Sequence, residues 1–276
     1  MKKIFYSIFY TAFILTFENN LSKASENKIK FTFEPKNKMA VLERVKAVNE
    51  EIVNDIVIQK QESLVSTKIL YDKTSQGFDL KAEITKIEFF INGEKTINPV
   101  FEVLVKHPIV YKIDNSGKLY DVKGYDEFKN ILYENFTREF ADEISKIFDE
   151  DLMKEKARFD WNQKIGNYAG KKVSHKEKWT EKQKIALWDN NNTNVNVETV
   201  FFLDEKFKGK DCVKIEISYK DSNKVENKVK GKAIIYINPL NMDIYSVFSE
   251  KNMTIDTKKQ KKVLREKREY NYEYIF

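Results

Sequence analysis

The chain has 276 residues, 41% of them hydrophobic and 13% aromatic, with only 8 Gly and 4 Pro; this supplies a large core and excludes a loop-rich or disordered chain. The formal charge is +6, mildly basic, with Lys and Glu interleaved almost throughout. The single cysteine, Cys212, excludes an intrachain disulfide and, flanked by alternating apolar residues, reads as a half-buried strand residue.

The first residues have the three-part layout of an export signal. Lys2 and Lys3 precede the uncharged apolar run Ile4 to Phe17, and Ser22-Lys23-Ala24 puts small residues where a signal peptidase needs them. Cleavage is expected after Ala24, since the run is shorter than the roughly 20 apolar residues of a membrane span. Three lysines and one glutamate leave with residues 1–24, a net +2, so the mature chain carries +4. No second apolar run of that length follows and no cysteine stands near the cleavage site, so a soluble, unlipidated protein of the periplasm or the exterior is expected. Such a protein is not expected to have a nucleic-acid partner.

From Ile29 to Val122 the chain reads as strands. Ile56 to Leu70 is rich in β-branched residues, and Phe101, Val103 and Val105 alternate toward His107-Pro108. The apolar set is even over Leu80-Ala82-Ile84 and odd over Ile87-Phe89-Ile91, a phase change that predicts a β-bulge near Thr85-Lys86. Asp114-Asn115-Ser116-Gly117 predicts a hairpin turn between Ile113 and Leu119.

After Gly124 the period changes. Phe128, Ile131, Leu132, Phe136, Phe140, Ile144, Ile147, Phe148 and Leu152 recur at three and four, which predicts one long amphipathic helix over about 125–158, set between two sheet segments. Strands resume at Lys172–Val173, Trp179–Leu187, Val195–Leu203, Val213–Tyr219, Lys228–Ile237, Ile244–Phe248 and Val263–Ile275. The basic run Lys258 to Arg268 reads either as an anion-binding surface or as an edge strand kept soluble by its lysines, the second being preferred.

Chemistry-bearing patterns are few. His107 and His175 stand apart, and no phosphate loop, nucleophile elbow or metal-ligand spacing is present in the sequence. Neither an enzyme, a metal site nor a cofactor is expected. Glu150 and Asp151 are adjacent on the helix and point apart, as solvated residues do. Trp161, Trp179 and Trp188 follow the helix; with Phe136 and Phe140 they are the candidate ligand-lining residues, and capping of the core is the alternative role for the indoles.

The run Ile113 to Tyr125, with Gly117 and Gly124, together with Asn167 to Lys172 and Trp179, resembles a layout found in uncharacterised exported bacterial proteins: strand, polar turn, Gly, strand, Gly, long helix, second sheet. The order of elements is also similar to that of periplasmic lipoprotein-carrier half-barrels, though no carrier residue maps onto this chain. The resemblance implies a mainly β, α+β fold: a single domain over 25–276 in which a curved antiparallel sheet or half-barrel packs around one long amphipathic helix. The function expected is an exported binding protein that accommodates a lipid or other apolar small molecule. The alternative is a non-catalytic interaction or structural module that contacts another envelope protein.

Overall fold

Alternating, β-branched runs make long strands here, and nearly all of them join one sheet. The computed structural model describes residues 13–15, 28–105, 107–186, 192–221, 227–257 and 260–275. Two short strands come first, β1 (Phe13–Leu15) and β2 (Lys28–Lys30). A meander of long strands follows: β3 (Ala40–Val53), β4 (Ile56–Lys73) and β5 (Gly77–Ile91), with the two-residue β6 (Glu94–Lys95) folded back on β5. Helix α1 (Pro99–Leu104) leads into the hairpin β7 (Pro108–Asp114) and β8 (Leu119–Lys123). Helices α2 (Tyr125–Asn135), α3 (Arg138–Ile147) and α4 (Glu150–Trp161) come next, the last running into a turn of π-helix at Asn162–Gly166. The chain ends with β9 (Lys172–Ser174), β10 (Lys178–Ala186), β11 (Asn192–Phe207), β12 (Lys210–Asp221), β13 (Asn227–Ile237), β14 (Ile244–Thr257) and β15 (Gln260–Ile275).

Thirteen strands form a curved, unclosed antiparallel sheet in the order β1-β10-β11-β12-β13-β14-β15-β3-β4-β5-β7-β8, with β6 beside β5; β2 and β9 pair separately. The two expected sheet segments are therefore one sheet, joined where the last strand pairs with β3 from Lys262↔Val53 to Ile275↔Ala40. Apart from β1, residues 1–24, where an export signal is expected, lie outside those described.

The bulge falls where the phase change places it. Ser66 pairs with Lys86 and Thr67 with Ile84, which leaves Thr85 as the extra residue. Its hydroxyl donates to the Ser66 carbonyl oxygen at 3.1 Å. The β7–β8 turn is also as expected, with the Asp114 carboxylate accepting from the Ser116 and Lys118 backbone N–H groups and Gly117 at a φ of +86°.

Three expectations are corrected. Phe101, Val103 and Val105 belong to α1 and its end rather than to a strand, because Asn98 caps the Val100 N–H and Pro99 occupies the first helical turn. The single long helix is three helices. The backbone turns extended at Phe136 and Thr137, and Asp149 starts α4 by accepting from the Leu152 N–H at 3.1 Å, with Glu150 and Asp151 in its first turn. Finally, the basic C-terminal strand β15 is no edge, since β14 and β3 flank it.

The core is continuous from helices to sheet. Phe128 and Leu132 of α2 and Ala141 and Ile144 of α3 are buried, as are Phe148, Phe31, Phe201, Ile215 and Ile235. Phe31 packs between Tyr168 and Phe201 with ring centroids about 6 Å away. Phe136 and Phe140, which the helical period assigned to the core face, are half-buried and pack on each other at 5.2 Å.

Candidate functional site

Two cavities lie beside the end of α4 and the π-turn, one lined also by β10 to β15 and the other by β14, β15, β3, β4, β5 and β7. The larger is about 290 Å³ and the smaller about 140 Å³. Asp160, Lys164 and Tyr270 stand in the wall of both. A π-turn often marks a functional position in a helix. Here it carries Lys164, and Asn167 N–H donates to the Asn162 carbonyl at 3.1 Å.

Small inward-facing residues open these spaces. In the larger cavity Ala82 sits between Ile69 and Ile109 on neighbouring strands, and Ala157 faces them from α4. Leu80, Ile84 and Ile244 extend the apolar wall. In the smaller cavity Ala233 and Ser249, paired across β13 and β14, hold the equivalent places. Gly231 pairs with Tyr219 on one side and Lys251 on the other, and a Cβ there would fall 2.2 Å from the Tyr219 ring, so the glycine is what lets that ring lie over the strand.

The residues that line both cavities, and their neighbours, are polar. Lys164 Nζ lies 3.7 Å from Glu43 Oε1 and 3.9 Å from the centre of the Tyr270 ring. Burial alone would lower the Lys164 ammonium pKa, but Glu43, Tyr270 and Asp160 outweigh it and hold the group above the ordinary lysine range. Arg268 pairs with Glu266. Burial again opposes its charge, and Glu266, Tyr270 and Asp160 prevail, keeping the guanidinium firmly protonated. Lys251 differs: burial pushes its pKa down, the nearby Glu266 notwithstanding. The Tyr71, Tyr111 and Tyr272 phenols in the larger cavity are raised, first by burial and then by neighbouring negative charge.

Asp160 is exposed at the mouths of both half-open cavities, with many protein atoms around it. Burial raises its carboxyl above the ordinary 3.8, against the pull of Lys164 and Arg268. A carboxyl raised in the folded state takes up protons on folding. Its contribution to stability is full below about pH 3.8 and is lost as the pH climbs through the folded value. Asp160→Asn is therefore expected to flatten the fall in thermal midpoint as the pH rises from about 4. Superimposable pH profiles of variant and parent would contradict this placement of the charge.

Of the expected ligand-lining residues, Trp161 alone stands in the wall of the larger cavity, where its Nε1–H donates to the Gly117 carbonyl at 2.8 Å. Trp179 lies elsewhere, packed on Phe201 at 4.5 Å and on Tyr168 at 6.3 Å, with its Nε1–H on Glu177. Phe136 and Phe140 line neither cavity, and Trp188 lies outside the described residues. Sequence reasoning missed Glu43, Asp160, Lys164, Lys251 and Glu266, and read Arg268 only as part of the basic run over 258–268. The one available signal was the even-numbered run Glu266, Arg268, Tyr270, Tyr272, an inward face of β15 that is polar and aromatic.

His107 borders the larger cavity, but its Nε2 is 2.8 Å from the Gly124 carbonyl and its ring packs on Phe128. His175 Nδ1 accepts from the Leu203 N–H. Both histidines hold backbone in place. Among the described residues no three metal-ligating side chains gather, and no helix is long and apolar enough to cross a membrane. No protein-family model matches the chain, and no curated protein matches its sequence significantly.

Proposed function

We propose that this is an exported binding protein of the periplasm or exterior that takes up a lipid or other apolar molecule between its concave sheet and α4. One observation carries the reading: a half-open cavity of about 290 Å³ on the concave side of the sheet, walled mainly by apolar side chains. Ligand sites are concave, mostly apolar and edged by a few polar groups. A cavity walled by Ile69, Leu80, Ala82, Ile84, Ile109 and Ile244, with Glu43, Asp160 and Lys164 beside them, has that character. The amino-terminal signal supports export, and the open curved sheet agrees with the half-barrel resemblance, which bears on fold and leaves function to the site.

A second reading, an interaction module that contacts an envelope protein, is favoured by the tip of the β3–β4 hairpin. Ile56, Val57 and Ile58 are exposed there, and the Asn54 N–H donates to the Lys261 carbonyl of the adjacent hairpin. Native mass spectrometry with solvent extraction, on mature protein purified without detergent from an exporting host, separates the two. A stoichiometric apolar adduct is the expected result; a bare mass would sink the first reading in favour of the second.

A further inference from the structure

Lys251 is 7% exposed, stands in the wall of the smaller cavity, and makes no hydrogen bond or ion pair among the described residues. Its cross-strand neighbour is Glu266, whose carboxylate is engaged by Arg268. An ammonium group on a side chain buried to this degree meets water only through the cavity, and a negative charge placed there would complete its shell. Of the three cations in this wall, Lys164 faces Glu43 and Arg268 pairs with Glu266, which leaves Lys251 as the one with no ion pair among the described residues. At about 140 Å³ the space takes a carboxylate or phosphate group with water rather than a chain, and it adjoins the apolar cavity, with Asp160, Lys164 and Tyr270 lining both.

We infer that the smaller cavity receives the anionic head of a single-chain amphiphile whose tail lies in the larger one, with Lys251 as the donor reserved for that head. The inference rests on the apolar-ligand reading and adds to it the charge of the ligand. Direct charge-assisted hydrogen bonds from a buried ammonium supply discrimination between an anion and a neutral alcohol of the same length.

The test is isothermal titration of delipidated mature protein with laurate, dodecyl phosphate, dodecanol and acetate. The tighter of the first two is expected to bind one per chain and about tenfold more strongly than dodecanol, with acetate far weaker. Lys251→Met, similar in length and apolar, is expected to erase that advantage while leaving dodecanol affinity intact, which also reports that the variant is folded. Equal affinity of anion and alcohol in the parent protein, or an advantage that survives Lys251→Met, would overturn the head site and leave the apolar reading standing. Acetate binding as tightly as laurate would overturn the amphiphile. Binding of neither anion nor dodecanol would overturn the apolar reading and this inference together.

Discussion

Gly77→Ala is expected to lower stability by about 3–5 kcal/mol, and the thermal midpoint by about 10 °C, in denaturant and thermal unfolding. Gly77 joins β4 to β5 at a φ of +152°, and a Cβ there would fall 2.1 Å from the Ile113 carbonyl oxygen and 2.7 Å from Asp114 Cα. Both neighbours are backbone of β7, which pairs with β5 at that residue, so neither can swing aside. The clash adds to the conformational strain and pries apart the strands that carry Leu80, Ala82 and Ile109. Gly209→Ala is the control. Gly209 also has a positive φ, +80°, but its Cβ would meet nothing within 4 Å, so only the left-handed penalty of about 1–2 kcal/mol is expected. Equal losses in the two variants would show that the β5–β7 contact is not what makes Gly77 necessary.

The second large effect is on binding. Ala82→Trp places an indole between Ile69 and Ile109, in the larger cavity itself. In a solid core such a change costs about 1–3 kcal/mol through overpacking. In a cavity of about 290 Å³ the ring has room, so a stability within about 1 kcal/mol of the parent is expected. The space for a ligand goes with it.

Much of the sheet was legible because its signals are local. The phase change over Leu80 to Ile91 placed a bulge that turns on the single residue Thr85, and Asp114 to Gly117 carried its own turn chemistry. The strands from β9 onward lie where alternation put them, several of them longer than expected. What failed was weighing a cap against a period. Asn98-Pro99 is a helix start that outweighs three alternating residues, and Asp149 followed by two acids starts a new helix while the apolar spacing runs on unbroken across the joint.

The site was harder to see because it depends on register between distant strands. Lys251 and Arg268 sit in alternating charged sequence that reads as a solvated face. They turn inward only because β14 and β15 lie in the middle of the sheet, and β15 is there because it pairs with β3 from the other end of the chain. The Asp160 and Lys164 spacing of four likewise reads as a surface pair, until the two cavities are placed beside that helix end. Trp161 was recoverable, since an indole just after a predicted helix tends to bridge core and opening.

The account stands on the larger cavity being occupied in the working protein. The most direct measurement is the mass of apolar material extracted per mole from parent and Ala82→Trp proteins, exported and purified in parallel without detergent, with near-ultraviolet circular dichroism to establish that both are folded. The account predicts about one equivalent from the parent and none from a folded Ala82→Trp. The same material at the same stoichiometry in both would place the ligand outside this cavity and contradict it.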